Sequence, residues 1–160
     1  LPAVLEGRLP TASGYGRLRA VDRSEVRDGL REVLEAAGER RTLVHCCAGD
    51  VPVELLRQAG ARGISLDTSL LDGPRWEQLA GAVEGGLTLW AGAVPTTGRT
   101  DWRTARDRLV GAWQRIGLTL PSLADVVVTP SCGLAGSGAA VQAVRTTTDL
   151  AAALSDVAAG

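Results

Sequence analysis

Four short apolar runs alternate along this chain with longer runs whose apolar residues fall at helical spacing, and this alternation limits the possible folds more than any other feature. The runs are residues 42–47 (TLVHCC), 63–68 (GISLDT), 87–94 (LTLWAGAV) and 125–130 (DVVVTP). Each is mostly apolar and does not strictly alternate polar with apolar, the pattern of strands covered on both faces of a parallel sheet. Between them, residues 22–37 carry Val26, Leu30, Val33, Leu34 and Ala37 on one helical stripe. Asp22 is placed to cap the start and Gly38 to end it. Residues 50–59 form a second helix candidate, with Asp50 at its start, Pro52 in the first turn and Gly60 as its stop. Residues 74–84 present Trp76, Leu79, Ala80 and Val83, and residues 101–116 present Trp102, Ala105, Leu109, Trp113 and Ile116. The tail from Ser137 is Ala-rich and helical, with a break expected at Thr146-Thr147-Thr148 and a new cap at Asp149. Residues 1–21 and 95–100, with their prolines and glycines, read as loops.

The predicted order is one helix and then four strand–helix units. Strands alternating with helices imply right-handed crossovers and an α/β fold with a parallel sheet. Four such units are half of an eight-unit barrel, and they also suit an open doubly wound sheet; length alone does not separate the two.

Composition narrows the function classes. Of 160 residues, 45% are apolar and 22% charged, which excludes a disordered tail. With 17 basic and 18 acidic residues, a net charge of −1 and no block of one sign, there is no electrostatic case for a nucleic-acid or membrane partner. No apolar run approaches the roughly 20 residues of a bilayer span. The cysteine count of three includes the neighbours Cys46 and Cys47, which argues against a disulfide framework and for a reduced, cytoplasmic setting.

Chemistry gathers at the ends of the predicted strands. Side chains two apart on a strand share a face, so His45 and Cys47 aim together and Cys46 aims into the core. Asp67 falls near the end of the second strand and Cys132 just beyond the fourth, at the edge where parallel α/β folds build their sites. One imidazole, two thiolates and one carboxylate form a zinc-type donor set. The same residues are open to a plainer assignment: a strand Cys is often a small hydrophobe, and Asp67 is placed to bond backbone. The glycine-rich run from Cys132 to Gly138 reads as a tight turn that brings Cys132 inward. Trp76, Trp102 and Trp113 are expected to pack on the sheet. Trp90 can face a pocket or the helices, and Tyr15 lies in the N-terminal loop.

Three motifs in this order resemble the cobalamin-independent methionine synthase family, whose catalytic domain is a uroporphyrinogen-decarboxylase-like barrel. They are Val44-His45-Cys46-Cys47, Ile64-Ser65-Leu66-Asp67-Thr68-Ser69 and Thr129-Pro130-Ser131-Cys132-Gly133-Leu134, and the site residues are separated by 2, 20 and 65 positions. The resemblance covers the chain as the C-terminal half, (β/α)4, of a (β/α)8 TIM barrel. It implies a zinc held by His45, Cys47, Cys132 and Asp67, with Asp67 also catalytic and Ser69 on the substrate. The activity implied is methyl transfer to the thiol of homocysteine, with methyltetrahydrofolate or a methylated corrinoid as donor. It implies as partner the N-terminal half-barrel, or a second copy that covers the two open sheet edges. Two departures stand out. Asp67 occupies the place of a longer Glu, and His45 is the chain's one histidine, so residues 92–97 lack the family's proton-handling histidine. This second departure favours another thiol or donor within the same superfamily. A non-catalytic metal-binding or cysteine-redox module is the alternative from a different class.

Overall fold

A computed structural model describes residues 1–97, 101–136 and 138–160. The expected loop 95–100 therefore lies outside the described residues from position 98 onward, as does Ser137. A single helical turn, α1 (Pro2–Leu5), comes first, followed by a small loop closed by an antiparallel bridge between Pro10 and Arg17. This replaces the featureless loop expected over residues 1–21. Helix α2 (Arg23–Glu35) starts as the sequence indicates: Asp22 accepts a hydrogen bond from the Ser24 N–H at 2.8 Å, satisfying one of the amides that a helix start leaves without a partner.

The alternating portion runs β1 (Leu43–His45), α3 (Val53–Gln58), β2 (Gly63–Asp67), α4 (Gly73–Glu84), β3 (Thr88–Val94), α5 (Trp102–Arg115), β4 (Val127–Pro130) and α6 (Ala140–Ala159). Three short 3-10 turns are interposed, at Thr68–Leu70, Leu120–Asp125 and Leu134–Gly136. The strands form one parallel sheet in the order β1-β2-β3-β4. An α/β fold with a four-stranded parallel sheet is thus in place.

Two helices depart from expectation in ways that the local bonding explains. α3 begins at Val53, with Pro52 as its N-cap at φ −84° and ψ 70°. Asp50 therefore lies outside the helix, and its carboxylate pairs with Arg8. α6 passes through Thr146-Thr147-Thr148 without a break. The reason is local: Thr147 donates its hydroxyl proton to the Ala143 carbonyl at 2.8 Å and Thr148 to that of Val144 at 3.1 Å. β-Branched residues that bond back four positions stay inside a helix at small cost.

The strand order has a consequence for the faces. Right-handed crossovers between sequential strands place all the connecting helices on one side, whereas a doubly wound sheet reverses its order at a switch point. The described strands have no such reversal. One face is accordingly packed: Ile64 and Leu66 of β2 and Leu89 and Ala91 of β3 are buried together with Leu56, Leu79, Trp113 and Leu150. Trp113 satisfies its indole N–H on Ser122 Oγ at 3.0 Å and the Thr119 carbonyl at 3.2 Å, as a buried tryptophan requires. The residues between these point to the other face. There Leu43, Trp90 and Val127 remain 40%, 37% and 38% exposed although they lie in strands. This face is uncovered among the described residues.

Candidate metal centre

Register builds the site in rows across the uncovered face. His45 pairs with Ser65, Ser65 with Trp90, and Trp90 with Val127. Side chains paired in a parallel sheet stand on the same side, so these four form one row. The next row toward the C-terminal ends holds Asp67, Gly92 and Thr129. The β1 ladder continues past its last assigned residue, because the Cys46 N–H donates to the Ser65 carbonyl at 2.9 Å. That extension keeps the strand alternation through the cysteine pair: Cys46 is buried in the core, and Cys47 is exposed on the side of His45.

Cys132 arrives from the opposite edge of the sheet. Beyond β4, the Ser131 N–H donates to the Val94 carbonyl at 2.8 Å, and the Ser131 hydroxyl donates to the Gly92 carbonyl at 3.2 Å. Thr96 donates its hydroxyl proton to the Cys132 carbonyl at 2.9 Å. Gly133 follows at φ +99°, in a region that only glycine enters without strain. A register shift between Gly92 and Val94 bends β3 beside this loop; bulges commonly re-aim side chains in this way next to sites.

The ligand atoms of His45, Cys47 and Cys132 all lie within 4.8 Å of one another. Three inter-strand gaps of about 4.8 Å would hold β1 and β4 roughly 14 Å apart in a flat sheet. The convergence therefore demands that the strand ends curve toward the uncovered face and that both terminal loops turn inward. All three groups are exposed and all three cysteines of the chain are free. A Cys2His set is a metal-binding combination, and tetrahedral zinc with sulfur at about 2.3 Å places its sulfurs about 3.8 Å apart. The observed spread comes within small side-chain rotations of that geometry.

His45 Nδ1 lies 3.1 Å from Ser65 Oγ. Asp67 is not among the converging groups. Its Oδ1 accepts from the Ser69 N–H at 2.9 Å and from the Ser69 hydroxyl at 2.6 Å, which makes it the cap of the Thr68–Leu70 turn. Ser69 is thereby engaged with Asp67. Thr68 donates to the same Gly92 carbonyl as Ser131, at 3.2 Å, so β2, β3 and the Cys132 loop meet at one acceptor. Tyr15 is 99% exposed and plays no part in the site. Trp76 and Trp113 pack in the core, while Trp102 is half-buried with Arg103 over its ring at 4.2 Å.

Ser65 and Thr96 were not singled out from the sequence as parts of the centre. The position of Ser65, two before Asp67 on the same strand face, carried a signal, but only the β1–β2 register shows that it stands beside His45. Thr96 carried none, since its role depends on the path of two loops. No helix is long and apolar enough to cross a membrane among the described residues. No family model matches the chain, and comparisons with curated proteins and with solved structures return no match.

Proposed function

We propose that the chain is the C-terminal half of a (β/α)8 barrel and carries the zinc centre of a thiol methyltransferase, with homocysteine as the thiol. The observation that supports this most strongly is the convergence of His45, Cys47 and Cys132 from opposite edges of the sheet to within 4.8 Å. A sheet wound in one direction, with its helices on one side and a bare face on the other, is what half a barrel leaves. In the completed ring the exposed Leu43, Trp90 and Val127 face an interior filled by the N-terminal half or a second copy.

Three protein ligands with an open fourth position are the pattern of catalytic zinc, whereas structural sites are closed. Bound zinc favours the thiolate of a coordinated substrate at neutral pH. His45, Cys47 and Cys132 would hold the metal, and the loops anchored by Ser131 and Thr96 keep Cys132 at the strand ends. In the net reaction the substrate S–H bond is broken, its proton goes to solvent, an S–CH3 bond forms and the donor–CH3 bond breaks with its electron pair left on the donor. A folate donor takes up a proton from solvent at its nitrogen, whereas a corrinoid donor keeps the pair on cobalt, which is reduced by two electrons. Asp67, occupied with Ser69, organises the turn after β2, and a metal held by the other three residues would remain open to the substrate thiol. The donor is methyltetrahydrofolate or a methylated corrinoid; the chain's single histidine is committed to the metal, which favours a donor that needs no histidine for proton delivery.

Cobalt substitution tests the assignment, because thiolate ligands give cobalt a charge-transfer absorption that zinc lacks. The cobalt-loaded chain is expected to show thiolate bands from Cys47 and Cys132, and homocysteine is expected to strengthen them saturably. Thiolate bands that ignore added thiol would support the non-catalytic metal module, and the absence of thiolate bands would overturn both.

A further inference from the structure

We propose that Ser65 is a positioning residue for the metal centre: its Oγ accepts the Nδ1 proton of His45, so that the imidazole presents Nε2 to the metal. This rests on the zinc assignment above and extends it to the group that selects the ligand atom. A neutral imidazole has one N–H and one bare nitrogen, and the hydrogen bond made by one nitrogen decides which of the two is free to bind a metal. His45 Nδ1 is 3.1 Å from Ser65 Oγ. The two residues are direct partners in the β1–β2 register, so the contact is built into the sheet and does not depend on a loop. Ser65 is half-buried while His45 is exposed, and with Nδ1 engaged by the hydroxyl the nitrogen left for a metal is Nε2. Trp90 is the next partner in the row. Ser65 thus stands between the imidazole and the indole in the row, and its hydroxyl supplies the acceptor there.

The test uses the whole chain and zinc. His45 is the only histidine, so long-range nitrogen–proton correlation spectra contain a single imidazole pattern. In the zinc-loaded protein the expected pattern has a protonated Nδ1 and a metal-bound Nε2. Ser65→Ala is expected to weaken zinc binding, measured by chelator competition, by about 10- to 100-fold, the usual effect of removing a partner behind a ligating histidine. Ser65→Thr, which keeps the hydroxyl, is expected to bind within a few-fold of the parent, and circular dichroism of all three proteins shows that they are folded to the same extent. A metal-bound Nδ1 in the parent protein would overturn the proposal, as would a folded Ser65→Ala protein with parental affinity. If the Ser65→Ala protein does not fold, the spectrum of the parent decides alone. Failure of the parent itself to bind zinc would instead refute the zinc assignment, so the two failures are distinguishable.

Discussion

At the scale of single residues, the centre depends on which way neighbouring side chains point. Cys46 and Cys47 are adjacent, yet one is buried in the core and the other stands with His45 on the open face. Strand alternation made this division legible in the sequence, because a period of two leaves no other arrangement once His45 is placed. Cys47→Ser is expected to abolish stoichiometric zinc binding, and Cys46→Ser to preserve it at some cost in stability, since it exchanges a buried thiol for a hydroxyl. Zinc content after gel filtration, with unfolding curves on the same samples, checks both. The reverse result would mean that β1 is shifted by one residue, which turns every side chain to the other face. The position of Asp67 at a strand end was also legible, and so was a backbone bond as one of its two possible engagements; which of the two holds was not. Whether such a carboxylate reaches a metal or bonds its own following turn depends on short-range backbone geometry, and here Ser69 at i+2 supplies both an N–H and a hydroxyl.

At the scale of elements, strands and helices were read mostly from apolar runs and caps, and the errors arose where a polar side chain takes a partner that propensity does not foresee. The threonine triplet of α6 looks like a break by propensity, but its hydroxyls use carbonyls four residues earlier. Asp50 looks like a cap, yet Pro52 is the N-cap of α3 and Asp50 pairs with Arg8. The register of β3 was not legible at all, although it governs how the site is assembled. A Cβ on Gly92 would lie 2.9 Å from the Leu66 carbonyl oxygen and 3.4 Å from the Cα atoms of Asp67 and Ser131. All three are backbone atoms, which cannot yield as a flexible side chain does. Gly92→Ala is therefore expected to push β3 away from β2 and from the Cys132 loop. The predicted loss is about 1–3 kcal/mol of stability, the usual range for overpacking, together with weaker zinc binding. Urea unfolding with and without zinc measures both, and a Gly92→Ala protein that matches the parent in each would show that this junction is not tight.

At the scale of the whole molecule, the sequence pointed to a parallel α/β sheet but left the choice between an open doubly wound sheet and half a barrel undecided. Apolar runs report that strands are buried without reporting the order in which they lie side by side. The observed order β1-β2-β3-β4 and the exposed row on one face are compatible with the half barrel proposed above. The sheet also explains why candidate ligands far apart in the chain, His45 to Cys132 being separated by 87 and Cys47 to Cys132 by 85 positions, come together: they lie at or just beyond the ends of its first and last strands. X-ray absorption at the zinc edge of the zinc-loaded chain counts those ligands directly. The predicted result is two sulfurs at about 2.3 Å and one imidazole nitrogen at about 2.0–2.1 Å, with a fourth light ligand that a thiol replaces by a third sulfur. A zinc shell of nitrogen and oxygen alone, or a chain that retains no zinc, would contradict a centre built from the two edges of the sheet.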